Sequence, residues 1–113
     1  MIQILHNPRC RKSREGLAVL EASKQPFEII KYLDDKLNKQ QLTEIINKLG
    51  IAPIALVRKN ESIWKNDFKG KNLNDDAIIE AMVINPKLIE RPIIIHNDKA
   101  VIGRPAEAIQ NIL

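Results

Sequence analysis

Two short apolar runs, "MIQIL" at residues 1–5 and "FEIIKY" at 27–32, flank one stretch of helical spacing, and that order leaves few folds open. MIQIL is partly alternating and stops at "HNP", which reads as a strand entering a turn. From Arg11 onward, Leu17, Ala18 and Leu20 give helical spacing, which predicts a helix over 11–24 that Pro26 ends. FEIIKY is rich in strand formers. Strand, helix and strand in this order are the usual way to connect two parallel strands.

The rest of the chain supplies what such a unit lacks. "NKQQLTEIINKLG" places Leu42, Ile45, Ile46 and Leu49 on one helical face with Gly50 at the stop. "IAPIALVRKNES" reads as extended or irregular, and "ESIWKNDF" as a short helix. "NDDAIIEAMVINP" reads as a helix capped by Asn74 and ending before Pro86. "RPIIIHNDKAVIGRP" reads as a hairpin, two β-branched runs around the polar turn HNDK, and "PAEAIQNIL" as a last helix with Pro105 near its first turn. At 113 residues, without linkers or repeats, we expect one domain over 1–113 with a helical insertion at about 39–90. The fold class is α/β: a four-stranded mixed sheet (β-α-β, helical insertion, β-β-α) flanked by helices, the thioredoxin-like plan.

Charge and cysteine usage narrow the partners. The formal net charge of +4 fits a small anionic ligand. The four aromatics, Phe27, Tyr32, Trp64 and Phe68, fall into no stacking or reading motif, so nucleic acid is not an expected partner. A single cysteine excludes an internal disulfide. With no leader-like start and no apolar run near the ~20 residues that span a bilayer, the expectation is a cytoplasmic protein with no membrane partner.

That cysteine lies in "HNPRCRKSRE". The nucleophilic form of a thiol is the thiolate, and three features favour it. Cys10 falls between a strand and a helix, where free N–H groups and the helix dipole favour negative charge. Arg9, Arg11, Lys12 and Arg14 surround it, Arg9 itself reading as solvated surface. His6, at the strand end, can stabilise the thiolate as an imidazolium or a hydrogen-bond donor. Ser13 makes a Cys-x-x-Ser spacing, so any covalent intermediate on Cys10 must be resolved by an outside thiol. A phosphate-gripping Cys-x5-Arg loop is absent, because the residue six after Cys10 is Gly16. A metal site from His6, Cys10 and His96 lacks the paired spacings such sites use, and no metal is expected.

Arg91 and Arg104 each precede a proline at the two ends of the predicted hairpin, which antiparallel pairing brings together. Arg58 lies in "LVRKNE". Guanidinium forks match tetrahedral oxyanions, and three beside a thiolate would suit one. Spacing alone also allows three ordinary surface arginines. Pro92 opens a strand, a setting that admits a cis peptide bond.

Taken in order, "HNPRCRKSRE", "LVRKNE", "LIERPIII" and "VIGRPAE" resemble the signature blocks of the glutaredoxin-linked arsenate reductase family across essentially the whole chain. The resemblance implies a thioredoxin-like fold and reduction of arsenate to arsenite. It implies glutathione as co-substrate, glutaredoxin as partner, and no tightly bound cofactor. By the same resemblance Cys10 attacks arsenate, His6 helps keep it ionised, and Ser13 and Arg14 belong to the same binding turn. Arg58, Arg91 and Arg104 hold the oxyanion and stabilise the arsenylated intermediate. Many members carry Gly-Thr after the cysteine, where this chain has Arg11-Lys12. Two other readings stand beside this one: an Spx-like regulatory binding protein, although Cys-x-x-Ser excludes an internal disulfide switch, and a glutathione-dependent disulfide reductase without arsenate activity.

Overall fold

The two apolar runs at the start pair with each other. In the computed structural model, which describes residues 1–113, β1 (Ile2–Leu5) and β2 (Phe27–Ile30) lie parallel, joined by α1 (Arg11–Ser23). β3 (Ile93–His96) runs antiparallel along the other side of β1, and β4 (Lys99–Ile102) pairs antiparallel with β3. The sheet is the four-stranded mixed thioredoxin-like sheet expected from the sequence, with β2-β1-β3-β4 as the order across it. The hairpin turns through Asn97, whose φ of 59° is a left-handed conformation that asparagine tolerates.

Side chains alternate between the faces of a strand. Ile2 and Ile4 of β1 and Ile94 of β3, which lies opposite Ile4, form one buried cluster with Leu20 of α1 and Ile109. On α1 the buried stripe runs Ser13, Gly16, Leu20, one helical face. Ala18, which the sequence reading placed among the helix-defining apolar positions, is exposed. The expected last helix is a 3-10 helix, Ala106–Ile112. With three residues per turn, positions three apart line up. Ile109 is buried in the cluster and Ile112 packs on it, so the three-residue spacing matches that geometry.

The chain forms two compact units, Met1–Asp35 with Arg91–Leu113, and Lys36–Glu90. The second contains α2 (Lys39–Leu49), α3 (Ser62–Asp67) and α4 (Asp75–Ile84). α2 buries Leu42, Ile45 and Ile46 and packs on α4. The stretch expected to be extended or irregular holds a 3-10 turn, Pro53–Leu56, opened by a proline whose fixed φ suits that position. A single bridge, Val57 to Ile89, follows it, with Arg58 N–H donating to Leu88 O at 2.7 Å. No helix is long and apolar enough to cross a membrane.

Asn38 closes a full capping box on α2. Its side chain accepts from Gln41 N–H at 2.8 Å, and the Gln41 side chain accepts from Asn38 N–H at 2.9 Å. Two N–H groups without helical partners are satisfied reciprocally. Asn38→Ala is expected to lower unfolding free energy by about 1 kcal/mol, read from the denaturant midpoint at unchanged slope.

Candidate active site

β1 ends at Leu5, which pairs with Ile30 of β2 and Ile93 of β3, and Ile93 pairs with Ile102 of β4. The next residue on each strand therefore collects at one end of the sheet. His6 N–H continues the ladder to Ile30 O at 3.0 Å, and Gly103 N–H donates to Pro92 O at 2.8 Å. His6, Arg91 and Arg104 thus leave the same sheet end, the last two each before a cis proline bond. A cis bond at Pro105 had no separate signal in the sequence.

Five residues separate β1 from α1, and Asn7 shapes them. Its side chain accepts from Arg9 N–H at 3.0 Å, its carbonyl from Cys10 N–H at 3.0 Å, and its own N–H donates to Ser13 Oγ at 2.9 Å. The Arg14 guanidinium donates to Pro8 O at 3.0 Å and braces the same loop from outside. Sequence reasoning passed over Asn7, although Asn before Pro is a turn-forming pair with this mechanism. Cys10 arrives as the N-cap of α1 in extended conformation, half-buried, with no acidic residue in the first helical turn.

Cys10 makes no complete capping hydrogen bond through its side chain, yet its surroundings favour the thiolate. Burial pushes the thiol up. Against that act the Ser13 N–H, the Arg91 guanidinium as donor and as charge, and the Lys12 N–H, so that the pKa lies below its ordinary value. Arg91 also carries a buried Nε with no hydrogen-bond partner in the protein. An orphaned guanidinium donor beside a thiolate is suited to an anion's oxygen.

His6 does not fit the role of an imidazolium at neutral pH. Burial lowers its pKa; a hydrogen bond at Ser13 opposes this, and the charges of Arg14 and Lys31 lower it further. Its Nδ1 lies 2.6 Å from Ser13 Oγ, which already accepts from Asn7 N–H. The hydroxyl has one proton and two lone pairs, so it pairs with Nδ1 in either ring tautomer while accepting from Asn7 N–H. Ser13 is fully buried, so its hydroxyl fixes the loop and His6 in place of touching a substrate; its N–H is what acts on Cys10. The sign of the resulting pH effect is set by that neutral ring. The unfolded chain takes up a proton below about pH 6.5 and the folded chain does not until lower pH. Stability present above pH 6.5 is therefore lost as pH falls through the folded pKa. The slope is expected to reach at most about 1.4 kcal/mol per pH unit and to be absent in His6→Gln, by urea unfolding at stepped pH.

The remaining candidates separate. Arg104 is exposed at the end of β4. Arg58 belongs to the second unit, where its guanidinium is paired with Glu61 and its N–H with Leu88 O. Arg11 and Lys12 both reach Glu15, at 3.3 and 3.7 Å, on the exposed side of α1, and such surface pairs contribute little. His96 pairs with Ile2 and Lys99 at the far end of the sheet and donates from Nδ1 to Ile112 O, so it cannot join His6 and Cys10 around a metal.

The profile of the ArsC family matches residues 5–112. An arsenate reductase of Neisseria meningitidis is 41% identical over 99% of this chain and 97% of its own length. The arsenate reductase of Haemophilus influenzae is 38% identical over 97% of this chain and 97% of its own. Among solved structures, an arsenate reductase from Vibrio cholerae superposes with a TM-score of 0.94 at 40% identity, covering 99% of this chain and 97% of that one.

Proposed function

This chain belongs to the ArsC family, and on that premise we propose that it reduces arsenate to arsenite with Cys10 as the nucleophile. The observation that carries the reading is Arg91. Its guanidinium favours the Cys10 thiolate and keeps a buried Nε donor without a partner in the protein. A thiolate and an unspent guanidinium at one helix N-terminus suit covalent attack on a bound tetrahedral oxyanion.

In this mechanism the Cys10 thiolate attacks arsenic and one arsenate oxygen leaves, protonated to water. The product is a Cys10 Sγ–As(V) bond. A second thiol then attacks Cys10 Sγ. The S–As bond breaks with its electron pair going to arsenic, which leaves as As(III), and a mixed disulfide remains on Cys10. Because Cys10 is the only cysteine, that thiol comes from outside; we assign it to glutathione. Glutaredoxin attacks the glutathione sulfur and releases the Cys10 thiolate. Arg91 and Arg104 hold the oxyanion. His6, Ser13, Asn7 and Arg14 position the loop that presents Cys10.

The test is arsenate-dependent NADPH oxidation in a mixture of glutathione, glutaredoxin and glutathione reductase. We expect turnover that needs arsenate and both thiol components. A folded protein with no arsenate-dependent rate would refute the assignment. Sulfate and phosphate, tetrahedral anions of similar shape, are expected to raise the apparent KM for arsenate without lowering kcat; a falling kcat at constant KM would place them elsewhere.

A further inference from the structure

Gly16 lies on the buried face of α1, between Ser13 and Leu20. A Cβ built on it would stand 2.7 Å from Cγ of Pro92, a separation that real Cβ contacts do not show, and 3.4 Å from Cδ1 of Ile109. A second glycine approaches the same ring. A Cβ on Gly103 would stand 3.1 Å from Pro92 Cγ, 3.0 Å from Ile94 Cδ1 and 3.1 Å from Ile109 Cδ1. Neither glycine is among the residues with positive φ, so conformational freedom does not account for them. Space does. Glycine also weakens a helix interior relative to alanine, so its place in the middle of α1 calls for a compensating contact.

The contact joins the two halves of the site. Cys10 caps α1, and Pro92 directly follows Arg91. How deeply α1 seats on the Pro92 ring fixes how near Cys10 comes to the Arg91 guanidinium. We propose that Gly16 is a positioning residue for the nucleophile: its missing side chain lets α1 seat on Pro92, and that seating registers Cys10 Sγ against Arg91. The proposal rests on the reading of Cys10 as a thiolate served by Arg91 and does not depend on arsenate being the substrate.

The experiment is the pH profile of Cys10 alkylation by iodoacetamide in the wild-type protein, Gly16→Ala, Arg91→Ala and the double variant, each checked for cooperative unfolding. Gly16→Ala is expected to move the inflection up by about one pH unit, a tenfold lower rate at pH values below it. In the Arg91→Ala background the same substitution should add nothing, because its effect runs through Arg91. A folded Gly16→Ala with the wild-type inflection, or shifts that simply add in the double variant, would overturn the proposal. If Gly16→Ala does not fold, Gly103→Ala takes its place. Its Cβ presses the same Pro92 atom less closely, at 3.1 Å against 2.7 Å, so a smaller upward shift is expected and a wild-type profile overturns the idea. Absence of arsenate turnover in the wild-type protein would sink the substrate assignment and leave this test intact.

Discussion

Cys10→Ser is expected to abolish arsenate-dependent turnover, by on the order of a thousandfold or more. The size follows from the electron balance. Reduction requires a sulfur that bonds arsenic, is then attacked by a second thiol, and returns the bonding pair to arsenic. A serine oxygen cannot become half of a disulfide, and no other cysteine in the chain can substitute. The folded state should not suffer. Cys10 is an N-cap without a side-chain capping bond, and serine is a better residue for that position, so the variant should melt at or slightly above the wild-type temperature. Loss of turnover together with unchanged melting isolates the chemistry. Retained turnover would mean that the covalent mechanism is wrong.

Arg91→Ala is expected to have the second-largest effect, on the order of a hundredfold in kcat/KM for arsenate. It removes both the charge and the hydrogen bond that act on the thiolate, and it removes the buried Nε offered to the anion. Charge-assisted hydrogen bonds contribute roughly 1.5–3 kcal/mol each, and about 1.4 kcal/mol is a factor of ten. The Cys10 inflection should rise in the same variant, because burial then faces less opposition. Arg91→Lys restores a charge but not the fork, and should recover part of the thiolate shift with little of the anion affinity. Steady-state kinetics beside an alkylation profile separates the two. An Arg91→Ala protein with both quantities unchanged would remove Arg91 from the site.

The sheet was legible because its signals are local. MIQIL, FEIIKY, PIII and AVI each read as strands, a parallel pair and an antiparallel pair, while the order β2-β1-β3-β4 emerged only in the folded chain. The 3-10 character of Ala106–Ile112 was less so, since Ile109 and Ile112 are three apart and spacing of three also suits an α-helix face. The sequence put Cys10 at a strand-to-helix junction and Arg91 and Arg104 at the adjoining ends of the hairpin strands, and the folded chain has them there. Of the two roles the sequence offered His6, imidazolium or hydrogen-bond donor, the structure disfavours the imidazolium, because the charge state of an imidazole depends on burial and on which partner it meets, and Ser13 lies seven residues away. The family resemblance put Ser13 in the binding turn, and its complete burial was not visible in the sequence. The pairing of Arg58 with Glu61 stands at i,i+3 spacing in the sequence, yet an arginine weighed for an anion role was not weighed for a carboxylate three residues on. Gly16 drew notice only as the wrong residue for a phosphatase loop; its contact with Pro92 joins positions that only the folded chain brings together.

The central claim is that Cys10 is a thiolate held beside a guanidinium at a helix N-terminus. Ultraviolet titration of the thiolate in the native protein, with Cys10→Ser as the blank, tests it most directly. An inflection below the ordinary thiol value of about 8.5, moving upward in Arg91→Ala, is the result expected. An inflection at or above that value, indifferent to Arg91, would contradict the site as described.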